Sequence, residues 1–406
     1  MKTYDFDEII DRRHTNALNT DGFREYIFKA GPDMKFKFKD EDFVRMWVAD
    51  MEFATPKPIL DAIKERLERR ILGYTVVYED TYFEAYSKWC KNRYDWTPEK
   101  EELVFSPGII PALYQIIEDV VKKDEKVLMF SPAYGFFKHS CVYNQVDYVQ
   151  SDLYLDNNSV FKIDFEDLEK KAKDPKVKLF ILCNPHNPSG RMWTEEELLK
   201  IAEIVEKNNL WIISDEIHCD IIRKGQKHIP MAKIMPSYSK LITCMSASKT
   251  FNIAGLQFSN IIIRDKDERN LFKNRDKLVG FTNPLSLVAH QAAYEKGEQW
   301  LKEMQEYLDG NFRYLKNFLD TNFPETQFEI PEATYLAWVN LNKVVPEKYL
   351  DNLPKIFADN GLLLEGGNAL FVGNARGFIR LNLAMPRSII EKGMKRFKTA
   401  IETINN

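Results

Sequence analysis

Between Leu103 and Ile263 short apolar runs alternate with helical stretches, and this alternation limits the possible folds more than any other feature of the chain. Leu103–Phe105, Val127–Phe130, Lys178–Cys183, Leu210–Ser214, Leu241–Met245 and Phe258–Ile263 all read as strands. The intervening segments predict helices. One opens at the turn Ser106-Pro-Gly-Ile-Ile-Pro-Ala-Leu113 and runs to Lys122; another covers Thr194 to Asn208, where Thr194 and Glu197 form a capping box. Such a chain predicts an α/β fold with a mainly parallel sheet. In open sheets of that kind ligands lie just beyond the carboxyl ends of the strands, so the residues that follow each strand are the first functional candidates.

Several of those residues carry chemistry. Ser246-Ala-Ser-Lys-Thr250 follows the run Leu241–Met245 and places Lys249 between hydroxyls at a strand end. A desolvated amine there has a lowered pKa and can attack an aldehyde, while Ser246 and Ser248 can hold a phosphate. Asp215 ends the strand Leu210–Ser214, where a carboxylate can keep a ring nitrogen protonated. Asn184-Pro-His-Asn-Pro-Ser-Gly190 contains two Asn-Pro pairs, which stiffen the loop and direct the Asn187 amide. Gly108 opens a helix whose first N–H groups, those of Ile109 and Ile110, can converge on an anion. Tyr134 lies just past a strand end and can stack on a planar ligand. Read singly, each has a plainer use: a surface lysine, a helix cap, an ordinary turn, a packed ring.

The flanking segments are of another kind. Residues 1–50 form a polar arm in which Lys35-Phe-Lys-Phe-Lys39 alternates like a short exposed strand. After Trp47-Val-Ala-Asp-Met-Glu-Phe53, the apolar spacing from Ile59 to Ile71 predicts a helix with Thr55 as N-cap, and Gly73-Tyr74 follows it. A second amphipathic segment covers Tyr82 to Tyr94. Trp300, Leu301, Met304, Leu308, Phe312, Leu315 and Leu319 share a helical face, which predicts a long helix linking two units. The expected division is an arm and part of a small domain over 1–50, a large α/β domain over 51–300, a linking helix over 301–324 and a small α+β domain over 325–406. In the last, Arg380 lies between Ile379 and Leu381, and a guanidinium on an apolar strand requires a carboxylate partner, internal or bound.

The formal net charge is −4 with 29% charged residues, so no basic field favours nucleic acid or an anionic membrane. No run approaches the roughly 18 apolar residues of a spanning helix, and a cytoplasmic location is expected. The 5 cysteines are widely spaced without a C-x-x-C pair, and His218-Cys219 has no evident third metal ligand. No metal is expected.

In order along the chain, Gly73-Tyr74, Gly108, Tyr134, Asn187-Pro-Ser-Gly190, Asp215, Ser246-x-x-Lys249 and Arg380 resemble the motif series of fold-type I pyridoxal-phosphate enzymes of the aminotransferase class I/II family. The resemblance implies a large sheet domain with a smaller α+β domain, pyridoxal 5′-phosphate as cofactor and a homodimer with shared sites. It implies Lys249 as the Schiff-base lysine, Asp215 beside the pyridine nitrogen and Asn187 beside the 3′ oxygen. Tyr134 would stack on the ring, and Ile109, Ile110, Ser246 and Ser248 would surround the phosphate, reached by Tyr74 from the neighbouring subunit. Arg380 would pair with the substrate carboxylate, with Asn187, Ala49 and the rest of 47–53, Tyr335 and Trp338 as further pocket candidates. The chain departs from the usual aminotransferase pattern at His218, a further cofactor-binding candidate where a tyrosine is customary, and at Gln257, where an arginine is. Both departures, with Trp47–Phe53 and Asp215-Glu-Ile-His218, resemble the MalY/PatB group of C–S β-lyases. That implies cleavage of cystathionine or related S-substituted L-cysteines to a thiol, pyruvate and ammonia. An aminotransferase would use the same residues, and a surface that binds a transcription regulator is a third reading.

Overall fold

The computed structural model describes residues 3–279 and 282–405. Among them the largest sheet has seven strands: β1 Leu103–Ser106, β2 Lys126–Ser131, β3 Asp147–Asp152, β4 Val177–Cys183, β5 Trp211–Asp215, β6 Leu241–Met245 and β7 Ser259–Ile263. Their spatial order is β1-β7-β6-β5-β4-β2-β3. β2 through β6 pair in parallel, and β7 runs antiparallel to both β6 and β1. The mainly parallel α/β sheet read from the sequence is therefore present. β3 is the strand that the sequence reading missed; its residues Asp-Tyr-Val-Gln-Ser-Asp are polar because it forms a sheet edge, where one side needs no apolar cover.

Apolar burial holds this sheet between two layers. Ile109, Ala112, Leu113, Ile116 and Ile117 of helix Ile109–Val120 pack on one face, and Leu198, Ile201 and Val205 of helix Glu195–Lys207 on the other. The capping box of Thr194 and Glu197 is formed.

A smaller sheet comprises β8 Leu336–Asn340, β9 Glu365–Gly366 and β10 Phe378–Asn382, with β10 in the middle. The 25-residue helix Glu298–Asn322 packs the predicted face, Trp300 to Leu319, into the core. Val44–Arg45 pairs in parallel with Leu362–Leu363, so the N-terminal arm is stitched to the C-terminal part of the chain.

Three local expectations are corrected. Residues 35–39 form no strand: Phe36 and Phe38 are half-buried against Phe43 and the lysines stay in water, but no neighbouring strand accepts the backbone. Helix Lys57–Glu68 begins after Pro56 rather than Thr55, whose hydroxyl instead donates to the Asn252 carbonyl at 3.3 Å. Ile59 is buried, whereas Leu60, Leu67 and Ile71 of the same apolar pattern face outward. Among the described residues no helix is long and apolar enough to cross a membrane.

Candidate active site

Strand register brings the chemistry together. Asp215 is level with Cys183 on one side and Cys244 on the other, so β4, β5 and β6 end on one edge. The chain just beyond those ends supplies Asn187, Asp215 itself and Lys249. β7 runs the other way and adds its first residue, Ser259, which is level with Ser106 at the end of β1. These ends and the small sheet enclose a cavity of about 330 Å³.

Lys249 sits in the short helix Ala247–Thr250, capped by Ser246, whose Oγ accepts from Ser248 N at 3.1 Å. Its Nζ donates to the Ala49 carbonyl at 2.7 Å, and Tyr335 Oη donates to the same carbonyl at 2.8 Å. Burial lowers the pKa of the amine; Arg380 lowers it further, while Asp50 and Asp215 oppose the shift. The amine thus gives up its proton more readily than a solvated lysine does.

Asp215 is buried, and among the described residues its carboxylate accepts one hydrogen bond, from Ile217 N at 3.2 Å. Burial pushes its pKa up to about 7, helped by the Glu216 carboxylate. A carboxylate so poorly satisfied is suited to a charged N–H donor within the cavity. His218, also buried, is pulled down to about 3 by burial and by the charges of Lys249 and Arg380, so its ring is neutral. Its Nδ1 has no hydrogen-bond partner among the described residues, and the ring meets Tyr335 edge-on at 5.9 Å.

Arg380 crosses from β10 into the same space. Its Nη1 donates to Asn187 Oδ1 at 3.1 Å, and its Nη2 pairs with Glu365, the residue directly opposite on β9. A guanidinium only donates, so it fixes the Asn187 amide with oxygen toward Arg380. At the other end, Gly108 begins helix Ile109–Val120, and no side chain caps it. The N–H groups of Ile109 and Ile110 have no carbonyl within the helix and suit an anion.

Ala49, Tyr134 and Ser248 also line this cavity. Other sequence candidates do not line it. The Ser246 hydroxyl is spent on the Phe258 carbonyl at 2.8 Å and on its capping role, and Tyr74 is 91% exposed on the outer surface. Trp338 also stays out of the cavity lining; it stacks on Phe378 at 5.2 Å and lines a neighbouring pocket, on the same face of the small sheet as its register partner Arg380. Gln257 is exposed and does not line the cavity.

The sequence profile of aminotransferase class I and II matches residues 41–397. Cystathionine beta-lyase PatB of Bacillus subtilis is 38% identical over 89% of this chain and 93% of its own length. Protein MalY of Escherichia coli is 31% identical over 99% and 100%. The chain belongs to the aminotransferase class I and II family. A crystal structure of the PLP-bound C–S lyase from Staphylococcus hominis superposes with a TM-score of 0.91, at 49% identity over 98% of both chains.

Within this aminotransferase-family site the sequence reading missed Tyr26, Phe136 and Glu365, all cavity residues. Tyr26 lay in a stretch with no chemical signal, whereas Phe136 stood two residues beyond Tyr134, the ring that was singled out. Glu365 did have one: an acid directly after Leu362-Leu-Leu364 is as anomalous as Arg380 between two apolar neighbours, and two opposite anomalies of that kind call for each other.

Proposed function

We propose that this chain is a pyridoxal-phosphate-dependent carbon–sulfur β-lyase, cleaving cystathionine or related S-substituted L-cysteines to a thiol, pyruvate and ammonia. The observation that carries it is one cavity holding an amine of lowered pKa, a buried carboxylate of raised pKa and a guanidinium, in a chain 49% identical to a C–S lyase.

The cavity suits the cofactor. Asp215 lacks the donor that a protonated pyridine brings, and the uncapped helix at Gly108 suits its phosphate. When bound, the group supplies an aldehyde for the lysine and an electron-accepting ring. The remaining work falls to side chains. Arg380 holds the substrate α-carboxylate and, through Asn187 Oδ1, leaves the Asn187 Nδ2 hydrogens for the cofactor's 3′ oxygen. Lys249 Nζ takes the proton from the substrate Cα, and the Ala49 carbonyl fixes where that nitrogen rests. Asp215 holds the pyridine proton, and neutral His218 adds no competing charge. Tyr134, which lines the cavity, would stack on the ring. The pair freed at Cα forms the Cα–Cβ double bond as the sulfur leaves Cβ with its bonding pair; the Lys249 ammonium returns the proton to the thiolate, and water hydrolyses the released unsaturated amine to pyruvate and ammonia.

The same proposal takes 51–300 as the cofactor-carrying domain, 301–324 as the link and 325–406 with the 1–50 arm as the small domain. It also includes a homodimer. Leu60, Leu67, Ile71, Leu72 and Tyr78 form an exposed apolar stretch around Tyr74, which a second copy would cover while bringing Tyr74 to its site. The 5 unbridged cysteines support the cytoplasmic expectation.

The test is to mix the holoenzyme with L-cystathionine and follow pyruvate and free thiol with no keto acid added. Sustained release of both supports elimination. A single turnover that resumes only on adding a keto acid makes the protein an aminotransferase.

A further inference from the structure

Glu365, paired with Arg380, is a cavity residue that the proposed mechanism does not use. Both side chains are almost wholly buried, at 3% and 2% exposure, and both line the cavity. Removing two charges from water to that degree costs about as much as their attraction returns, so stability alone is a weak reason for the pair.

The geometry of the guanidinium supplies another. A carboxylate can grip an arginine with two bonds on either of two edges, Nε with Nη2 or Nη1 with Nη2, and Nη2 belongs to both. In this protein Glu365 holds Nη2, and the Trp47 carbonyl approaches the same nitrogen at 3.4 Å. Nη1 is engaged by Asn187, whereas Nε is buried with no hydrogen-bond partner among the described residues. Phe371 lies 5.2 Å from the guanidinium carbon and covers one face. A second carboxylate therefore reaches a two-bond grip only at the nitrogen that Glu365 holds.

We propose that Glu365 competes with the substrate's α-carboxylate for Arg380 and so determines specificity: it weakens the binding of every amino-acid substrate and demands a full carboxylate from any ligand that displaces it. This rests on the reading of Arg380 as the α-carboxylate site. A ligand without a carboxylate leaves the pair in place and gains nothing from Arg380. A ligand with one exchanges one charge-assisted pair for another, and its net gain is small. Glu365 acts through Arg380 and touches no reacting atom, so its effect falls on KM rather than kcat.

The experiment compares the holoenzyme with Glu365→Gln, Glu365→Asp and Arg380→Lys, measuring KM and kcat for L-cystathionine and competitive inhibition by propionate. The amide of Glu365→Gln keeps an acceptor for Nη2 but forms a bond about half as strong as the charged pair, so KM and the propionate inhibition constant fall on the order of tenfold with kcat little changed. Glu365→Asp, which withdraws the carboxylate while keeping its charge, shifts both in the same direction by less and serves if the glutamine variant does not fold. Arg380→Lys raises both. If the Glu365 variants raise KM or leave it unchanged while Arg380→Lys raises it, the competition is wrong and Arg380 keeps its role. If Arg380→Lys leaves KM unchanged, the carboxylate assignment fails, and the proposal fails with it.

Discussion

Asp215 and Asp220 are buried carboxylates at the two ends of one short loop, yet their surroundings differ. Asp220 accepts from Arg93 Nε at 2.6 Å, Thr250 Oγ1 at 3.1 Å, Trp89 Nε1 at 3.2 Å and the Tyr94 hydroxyl. Its backbone carbonyl accepts from Gln305 at 2.7 Å. Asp215 has one backbone donor, and its pKa is raised to about 7. Asp220, satisfied from three segments, is a fastening point: through Thr250 it ties down the turn that carries Lys249. Asp215, left short of donors within the fold, is available to a ligand. A buried acid's role is read from its donors, not from its depth.

The largest expected effect lies at Lys249. Lys249→Ala should abolish turnover, by more than about 10⁴-fold, and the yellow colour of the lysine-bound cofactor should vanish while the thermal midpoint stays near that of the cofactor-free parent. Activity retained at a measurable fraction would remove Lys249 from the centre of the site.

Asp215→Asn comes next. Losing the charge that holds the pyridine proton should slow turnover on the order of 10²-fold with the fold intact, as steady-state kinetics and circular dichroism would show. Equal rates would erase the contrast between the two acids.

Asp220→Asn should show the reverse pattern. It leaves the Arg93 cation without its partner and should cost about 3 kcal/mol in urea denaturation, with turnover reduced far less than in Asp215→Asn. A large kinetic loss without a stability loss would make Asp220 a chemical residue instead.

The smallest effect is a slope. In the cofactor-free protein, folded Asp215 keeps its proton to about pH 7, against 3.8 for an ordinary aspartate. The folded state therefore binds more protons between those values. The stability from this group is fully present below about pH 4, falls as pH rises toward 7, and is level above it. Asp215→Asn should lack that fall in denaturant titrations across the window; an unchanged slope would place its origin in another group.

Much of this was legible in the chain. The strands at 127–130, 178–183 and 241–245 could be read because a strand buried on both faces must be apolar throughout, and the capping box at Thr194 could be read because its two partners are local. The edge strand β3 could not, since an edge needs no apolar signature, and Thr55 failed as a cap because the helix begins one residue later, with Pro56 at the N-cap, while the Thr55 hydroxyl donates to the distant Asn252 carbonyl. In the site, Lys249, Asp215 and Asn187 stood out as polar residues at strand ends. Glu365 was missed because its meaning lies in a partner 15 residues away.

The sequence by itself determined the alternating architecture, the family and the side chains that line the sheet's edge, because periodicity, turn chemistry and strand-end position are local properties. Only the tertiary structure decided which of them meet. It showed Ala49 as the acceptor for Lys249, Ser246 withdrawn into a cap, Tyr74 on the surface, and Arg380 held by Glu365. Those outcomes depend on register and on the closing of one sheet over another, which bring together residues from separate segments, and hydrogen bonding there is a contest among neighbours that local sequence does not name.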